Sequence, residues 1–135
     1  MAASGRQGRI MHTMIRVGDL DRSIAFYARH FGMEVIRTID LPEGKYTNVF
    51  IGYGDEKTNP MIELTYNYGV ESYERGNGFG HLAVGVADIY GTCERMRADG
   101  VPIVRAPGPV KFGTTVIAFV DDPDGYRVEL IEDRG

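Results

Sequence analysis

From Ile10 the chain alternates. Ile10, His12, Met14 and Arg16 fall on one side and Met11, Thr13, Ile15 and Val17 on the other, which is the period of a strand. At Leu20 the period changes: Leu20, Ile24, Tyr27 and Phe31 recur at helical spacing, with Asp19 placed to cap the start of a helix over 20–31 and Gly32 to end it. Three further runs, 33–40, 46–53 and 61–66, are set apart by Leu41-Pro42-Glu43-Gly44 and by a second turn-rich stretch at 54–60, so each reads as a strand. The order predicted is strand, helix, strand, strand, strand.

The same plan returns at His81. His12 aligns with His81, Val17 with Val86, Asp19 with Asp88, Ser23 with Thr92 and Arg37 with Arg105. Each copy closes on a glutamate between apolar residues, Ile62-Glu63-Leu64 and Val128-Glu129-Leu130. The second copy predicts a strand over 81–86, a helix over 89–99 and strands over 101–105, 114–120 and 126–132, the last entered through the turn at 121–125. The expected fold is therefore α+β, two βαβββ modules at 10–67 and 81–135 forming curved mixed sheets around a metal-binding cleft. A linker at 68–80 joins them into one domain, and residues 1–9 read as a flexible leader.

Alternation sets Glu63 and Glu129 on the face opposite their apolar neighbours, free to look into a cleft with His12 and His81. Two imidazoles and two carboxylates suit a borderline divalent cation such as nickel, cobalt or zinc, with water completing an octahedron. One histidine opening a strand is ordinarily a hydrogen-bonded surface residue, and one glutamate in an apolar strand ordinarily faces solvent. Four at matched places need a common reason. His30 is the contrast: it ends the first helix, has no counterpart and reads as a surface residue. Arg16 and Asn67 lie four residues beyond His12 and Glu63, on the same face and ~13 Å further along, where a cation and an amide suit a carboxylate-bearing substrate. The second copy has Gly85 and Asp133 there instead. The glycine-flanked loop at 108–113 carries Lys111, able to meet a second carboxylate.

Composition narrows the partners. The 135 residues carry a net charge of −4, and neither sign gathers into a run, which argues against nucleic acid or an anionic membrane. A single cysteine, Cys93, permits no intrachain disulfide and suits a reducing cytoplasm. Nothing in the sequence reads as an export signal or a membrane anchor, so a cytoplasmic location is expected.

His12-Thr-Met-Ile-Arg16, Phe50-Ile-Gly-Tyr-Gly, Ile62-Glu63-Leu-Thr-Tyr-Asn67, Gly80-His81, Gly108-Pro-Val-Lys111 and Asp122-Pro-Asp-Gly-Tyr-Arg-Val-Glu129 together resemble the glyoxalase I (lactoylglutathione lyase) family of the vicinal-oxygen-chelate superfamily. The resemblance implies a homodimer with sites between chains, His12 and Glu63 from one subunit and His81 and Glu129 from the other, holding one Ni2+ (alternatively Co2+ or Zn2+) per subunit. It implies a methylglyoxal-detoxifying lyase that converts the glutathione hemithioacetal to S-lactoylglutathione through an enediolate stabilised by the metal. By the same resemblance Glu129 is the base and Glu63 the second catalytic carboxylate. His81 also meets substrate, Arg16 and Asn67 hold the γ-glutamyl end of glutathione, and Lys111 holds its glycyl carboxylate. Some relatives carry an arginine four before the second histidine; here that position is Asn77, with Arg75 nearby. Relatives that use trypanothione tend to lack the Gly-Pro-Val-Lys loop, so glutathione is the expected thiol. Two rivals are a metal-free antibiotic-sequestering module, which needs no four ligands, and a ring-cleaving dioxygenase, which needs only two histidines and one carboxylate.

Overall fold

The computed structural model describes residues 7–135; of the 1–9 leader, residues 1–6 lie outside the described part. The strand, helix, strand, strand, strand order appears twice. The first copy holds β1 (His12–Arg16), α1 (Leu20–Phe31), β2 (Glu34–Leu41), β3 (Tyr46–Gly52) and β4 (Met61–Asn67). The second holds β5 (Leu82–Val86), α2 (Ile89–Ala98), β6 (Ile103–Pro109), β7 (Val116–Asp121) and β8 (Arg127–Glu132). Each copy makes its own four-stranded sheet, ordered β1-β4-β3-β2 and β5-β8-β7-β6. Both are mixed: the first and last strands of each copy run parallel and the remaining pairs are antiparallel.

Local chemistry sets the helix ends. The Asp19 carboxylate accepts from the Arg22 amide at 3.1 Å, and Asp88 accepts from Gly91 in the same way at 3.0 Å, so the first turns keep a partner for an otherwise free N–H. Gly32 ends α1 at φ 69°, a left-handed cap that a side chain would strain. The helices bury Phe26, Tyr27 and Phe31 on one side and Ile89, Cys93 and Met96 on the other, against Ile15, Leu64, Val128 and Leu130 from the sheets. Large apolar side chains buried in this way each stabilise by roughly 1.5–3 kcal/mol. The opposite sheet faces carry polar residues, Arg16, Glu63 and Asn67 in the first and Glu129 in the second, interspersed with apolar ones.

The turn before β8 fastens the two copies together. Asp122, buried, accepts from the Tyr27 hydroxyl at 2.7 Å and from the amides of Asp124 and Tyr126 at 2.9 Å each. Burial pushes its carboxyl above the usual range, and these hydrogen bonds pull it partly back. Asp124 accepts from the Gly18 amide at 2.9 Å and the Ser23 hydroxyl at 3.1 Å, while the Tyr126 hydroxyl donates to the Arg16 carbonyl at 2.8 Å. The turn thus holds the end of β1 and the start of α1 at a fixed place.

Two expectations are corrected. His30 is buried rather than superficial: its ring meets Phe26 edge-on at 5.2 Å, and its Nε2 lies 3.6 Å from Asp99. The cause is the docking of α1 on the end of α2, where Arg29 forks the Asp99 carboxylate at 2.6 and 3.0 Å. Burial pushes the His30 imidazole below its ordinary value, partly countered by Asp99. The second strand of the second copy, β6, runs past Arg105 to Pro109, with Gly108 opposite Ile117 and Pro109 opposite Val116. Gly-Pro-Val-Lys therefore begins in a strand. Proline is tolerated because β6 is an edge strand.

Candidate metal centre and substrate cleft

The pairing registers define what each exposed sheet face presents. Met14 lies opposite Glu63, Arg16 opposite Thr65, and Phe50 opposite Glu63 on the other side, so His12, Arg16, Glu63, Asn67 and Phe50 share one face. In the second sheet Ala83 and Phe119 flank Glu129, so His81, Glu129 and Phe119 share the matching face. His12 Nε2 lies 3.0 Å from Glu63 Oε1, and His81 Nε2 lies 3.1 Å from Glu129 Oε1. The glutamates sit low in the sheets, their side chains 13% and 15% exposed, whereas the imidazoles stand at the edge strands and reach over them.

These spacings fit a metal. Two donor atoms bound at right angles to one cation at about 2.1 Å lie roughly 3.0 Å apart, so each pair has the separation of two adjacent ligands of an octahedron. The imidazole nitrogen and carboxylate oxygen are the donor types a borderline cation takes. Among the described residues each half-site brings two donors together. Among the described residues no three His, Cys, Asp or Glu side chains gather closely enough to hold a metal ion. Within one chain the described residues form two half-sites on two sheets, His12 with Glu63 and His81 with Glu129.

An aromatic ring braces each histidine, and the sequence reading gave neither phenylalanine a role. Phe50 meets His12 edge-on at 5.3 Å and 75°, and Phe119 meets His81 at 5.2 Å and 74°. The two phenylalanines stand at unequal distances along the chain from their glutamates, so the match shows only in the strand register. An edge contact of this kind stabilises by about 0.5–1.5 kcal/mol and limits how the imidazole turns.

Beyond these residues the half-sites diverge. The first continues into Thr65, whose hydroxyl meets the Asn48 side chain at 2.8 Å, then Asn67, whose amide donates to the Tyr73 hydroxyl at 3.0 Å. Arg16 is exposed on the same face. The second sheet has Ile131, Ile117 and Gly85 at the corresponding places. Lys111 lies in the exposed β6–β7 loop, its Nζ 5.2 Å from the ring centroid of Phe112. Phe112 is 96% exposed and held at φ 69°, so this loop has little packing of its own. Arg75 donates to the Asp124 carbonyl at 2.7 Å, which places it on the turn that joins the copies.

A duplicated βαβββ unit in which each sheet offers one histidine and one glutamate defines a class of proteins built from paired half-sites. The chain belongs to the Glyoxalase/Bleomycin resistance protein/Dioxygenase superfamily, whose family model matches residues 9–130. It is 58% identical over 126 residues to the lactoylglutathione lyase of Haemophilus influenzae, covering 93% of each chain. Its fold matches glyoxalase I from Zea mays with a TM-score of 0.90 and 53% identity, over 94% of this chain and 45% of the maize chain, so it spans about half the length of that protein. The trypanothione-dependent glyoxalase I of Leishmania major matches with a TM-score of 0.84 and 51% identity, over 93% of this chain and 87% of the other. Among the described residues no helix is long and apolar enough to cross a membrane.

Proposed function

We propose that the protein is a metal-dependent lactoylglutathione lyase, acting in the cytoplasm as a homodimer, that isomerises the hemithioacetal of methylglyoxal and glutathione to S-lactoylglutathione. The observation that carries this reading is the pair of His–Glu half-sites, each with the spacing of adjacent metal ligands and neither complete alone. A relative named as that lyase at 58% identity over nearly the whole chain supports the choice of reaction within the superfamily. His12 and Glu63 of one chain and His81 and Glu129 of its partner would hold one nickel, or alternatively cobalt or zinc, per subunit. When bound, the cation polarises the substrate carbonyl and stabilises negative charge as it develops on oxygen.

The chain's own residues do the rest. The Glu129 carboxylate takes the proton from the hydroxyl-bearing carbon of the hemithioacetal and returns it to the neighbouring carbon, while the hydroxyl proton passes to the former carbonyl oxygen, so the isomerisation balances with no other reactant. Glu63 is the second carboxylate beside the reacting carbons, and His81 stands next to Glu129 where it also meets the substrate. Phe50 and Phe119 keep the imidazoles turned toward their glutamates. Arg16 and Asn67 bind the γ-glutamyl end of the thiol, the amide of Asn67 being oriented by Tyr73. Lys111 binds the glycyl carboxylate, which favours glutathione as the thiol.

The direct test is isomerase activity of metal-stripped protein with methylglyoxal and glutathione, titrated separately with nickel, cobalt and zinc. Activity should return at one metal per subunit and be highest with nickel. No activity with any of the three would refute the reading, and oxygen uptake with a catechol would replace it by ring cleavage.

A further inference from the structure

Arg37 and Arg105 begin at matched places, Arg37 opposite Phe50 on β2 and Arg105 opposite Phe119 on β6. Their guanidinium groups part company. Arg37 lies over the Phe50 ring at 4.1 Å, with Nε 3.1 Å from Glu56. Arg105 turns along the sheet into the end of the β6–β7 hairpin. Its Nη1 donates to the Gly108 carbonyl at 3.0 Å and the Ile117 carbonyl at 2.9 Å, and its Nη2 donates to the Pro109 carbonyl at 2.8 Å. One planar cation thus joins three carbonyls from both strands.

The hairpin needs this. The register slips between Arg105 and Gly108, and Pro107 and Pro109 have no N–H, so ladder bonds are missing where the loop leaves the sheet. Beyond Pro109 the backbone hydrogen bonds of the loop among the described residues are the Val110 amide on the Thr115 carbonyl at 2.8 Å and the Gly113 amide on the Val110 carbonyl at 3.2 Å. Lys111 is the next residue after Val110, in a segment whose only aromatic side chain points into solvent. The place of the Lys111 ammonium is therefore set from the base of the loop, and that base is clamped by Arg105.

We propose that Arg105 is a positioning residue that fixes the reach of Lys111 and so makes the site prefer a thiol ending in a glycyl carboxylate. The proposal rests on the lyase reading and deepens it. Its test compares kcat/KM for the methylglyoxal hemithioacetals of glutathione and of γ-glutamylcysteine, which lacks the glycine, in the metal-loaded enzyme. Lys111→Ala should lower the preference for glutathione about tenfold, the size of one lost charge-assisted contact. Arg105→Met should lower the same preference roughly fivefold or more, with the loss falling in KM, and Arg105→Met combined with Lys111→Ala should be no worse than Lys111→Ala alone. Should the methionine variant not fold, Arg105→Gln, which keeps one planar donor group, should lower the preference by a smaller factor. The proposal is overturned if the Arg105 variants weaken both thiols equally, if they leave the preference intact while Lys111→Ala reduces it, or if the two losses multiply. A Lys111→Ala enzyme with undiminished preference overturns it in a different way, by removing the assigned glycyl contact itself. Loss of turnover on both thiols in every variant and in the unaltered chain would instead mark failure of the lyase reading.

Discussion

Glu129→Gln is expected to lower kcat for hemithioacetal isomerisation by about 10²–10⁴-fold, the range a positioned general base contributes, while the chain still folds. The reason lies in where Glu129 sits. It is central in β8, between Ala83 and Phe119, with its side chain mostly covered. Glutamine has the same shape and keeps an oxygen 3.1 Å from His81, so neither the sheet nor the contact with the imidazole is lost. What is lost is the anionic oxygen that accepts a proton from carbon and that would also serve as one of the four metal donors. Single-turnover kinetics and a thermal melt of the same preparation check both halves: slow turnover with a near-normal melt is the expected pair, and near-normal turnover would remove Glu129 from its role.

His12→Ala should remove metal and activity together. The His12 side chain is 40% exposed, lies against Phe50 and Glu63 and is no part of the buried core, so its truncation leaves that core untouched. It nevertheless deletes one of the four proposed donors and leaves Glu63 without the partner that would close the cation's coordination. A drop of at least roughly 100-fold in metal affinity, with kcat/KM falling in step, is the expected outcome by equilibrium dialysis and steady-state assay. Retained metal with lost activity would assign His12 to substrate instead.

How far this was legible in the sequence depends on the range of the forces involved. The alternation around His12 and the helical spacing from Leu20 to Phe31 are local, and the strands and helices formed where those periods fell. The faces of Arg16, Glu63 and Asn67 followed from the same alternation. Residues whose setting depends on the other copy were misread. His30 looked superficial because a helix end gives no hint that Asp99, at the end of α2, will lie beside it. The turn at 121–125 formed where it was read, and only its hold on α1 through Asp122 and Asp124, across the molecule, went unseen. Gly108-Pro109 carried loop chemistry, and only the bulge and the Arg105 guanidinium turn it into strand. The four ligand-type residues were recognisable from their repetition, but whether one chain assembles them is a matter of how the two sheets stand, which no local pattern encodes.

The central claim is that each site draws one half from each of two chains, and co-producing His12→Ala and His81→Ala chains tests it most directly. Each variant alone should be inactive. In a mixed dimer one site would carry both substitutions and the other neither, so random assembly should restore roughly a quarter of the unaltered activity, with metal bound at the same fraction of sites. A mixture no more active than either variant alone, although mixed dimers are recovered, would contradict the shared site.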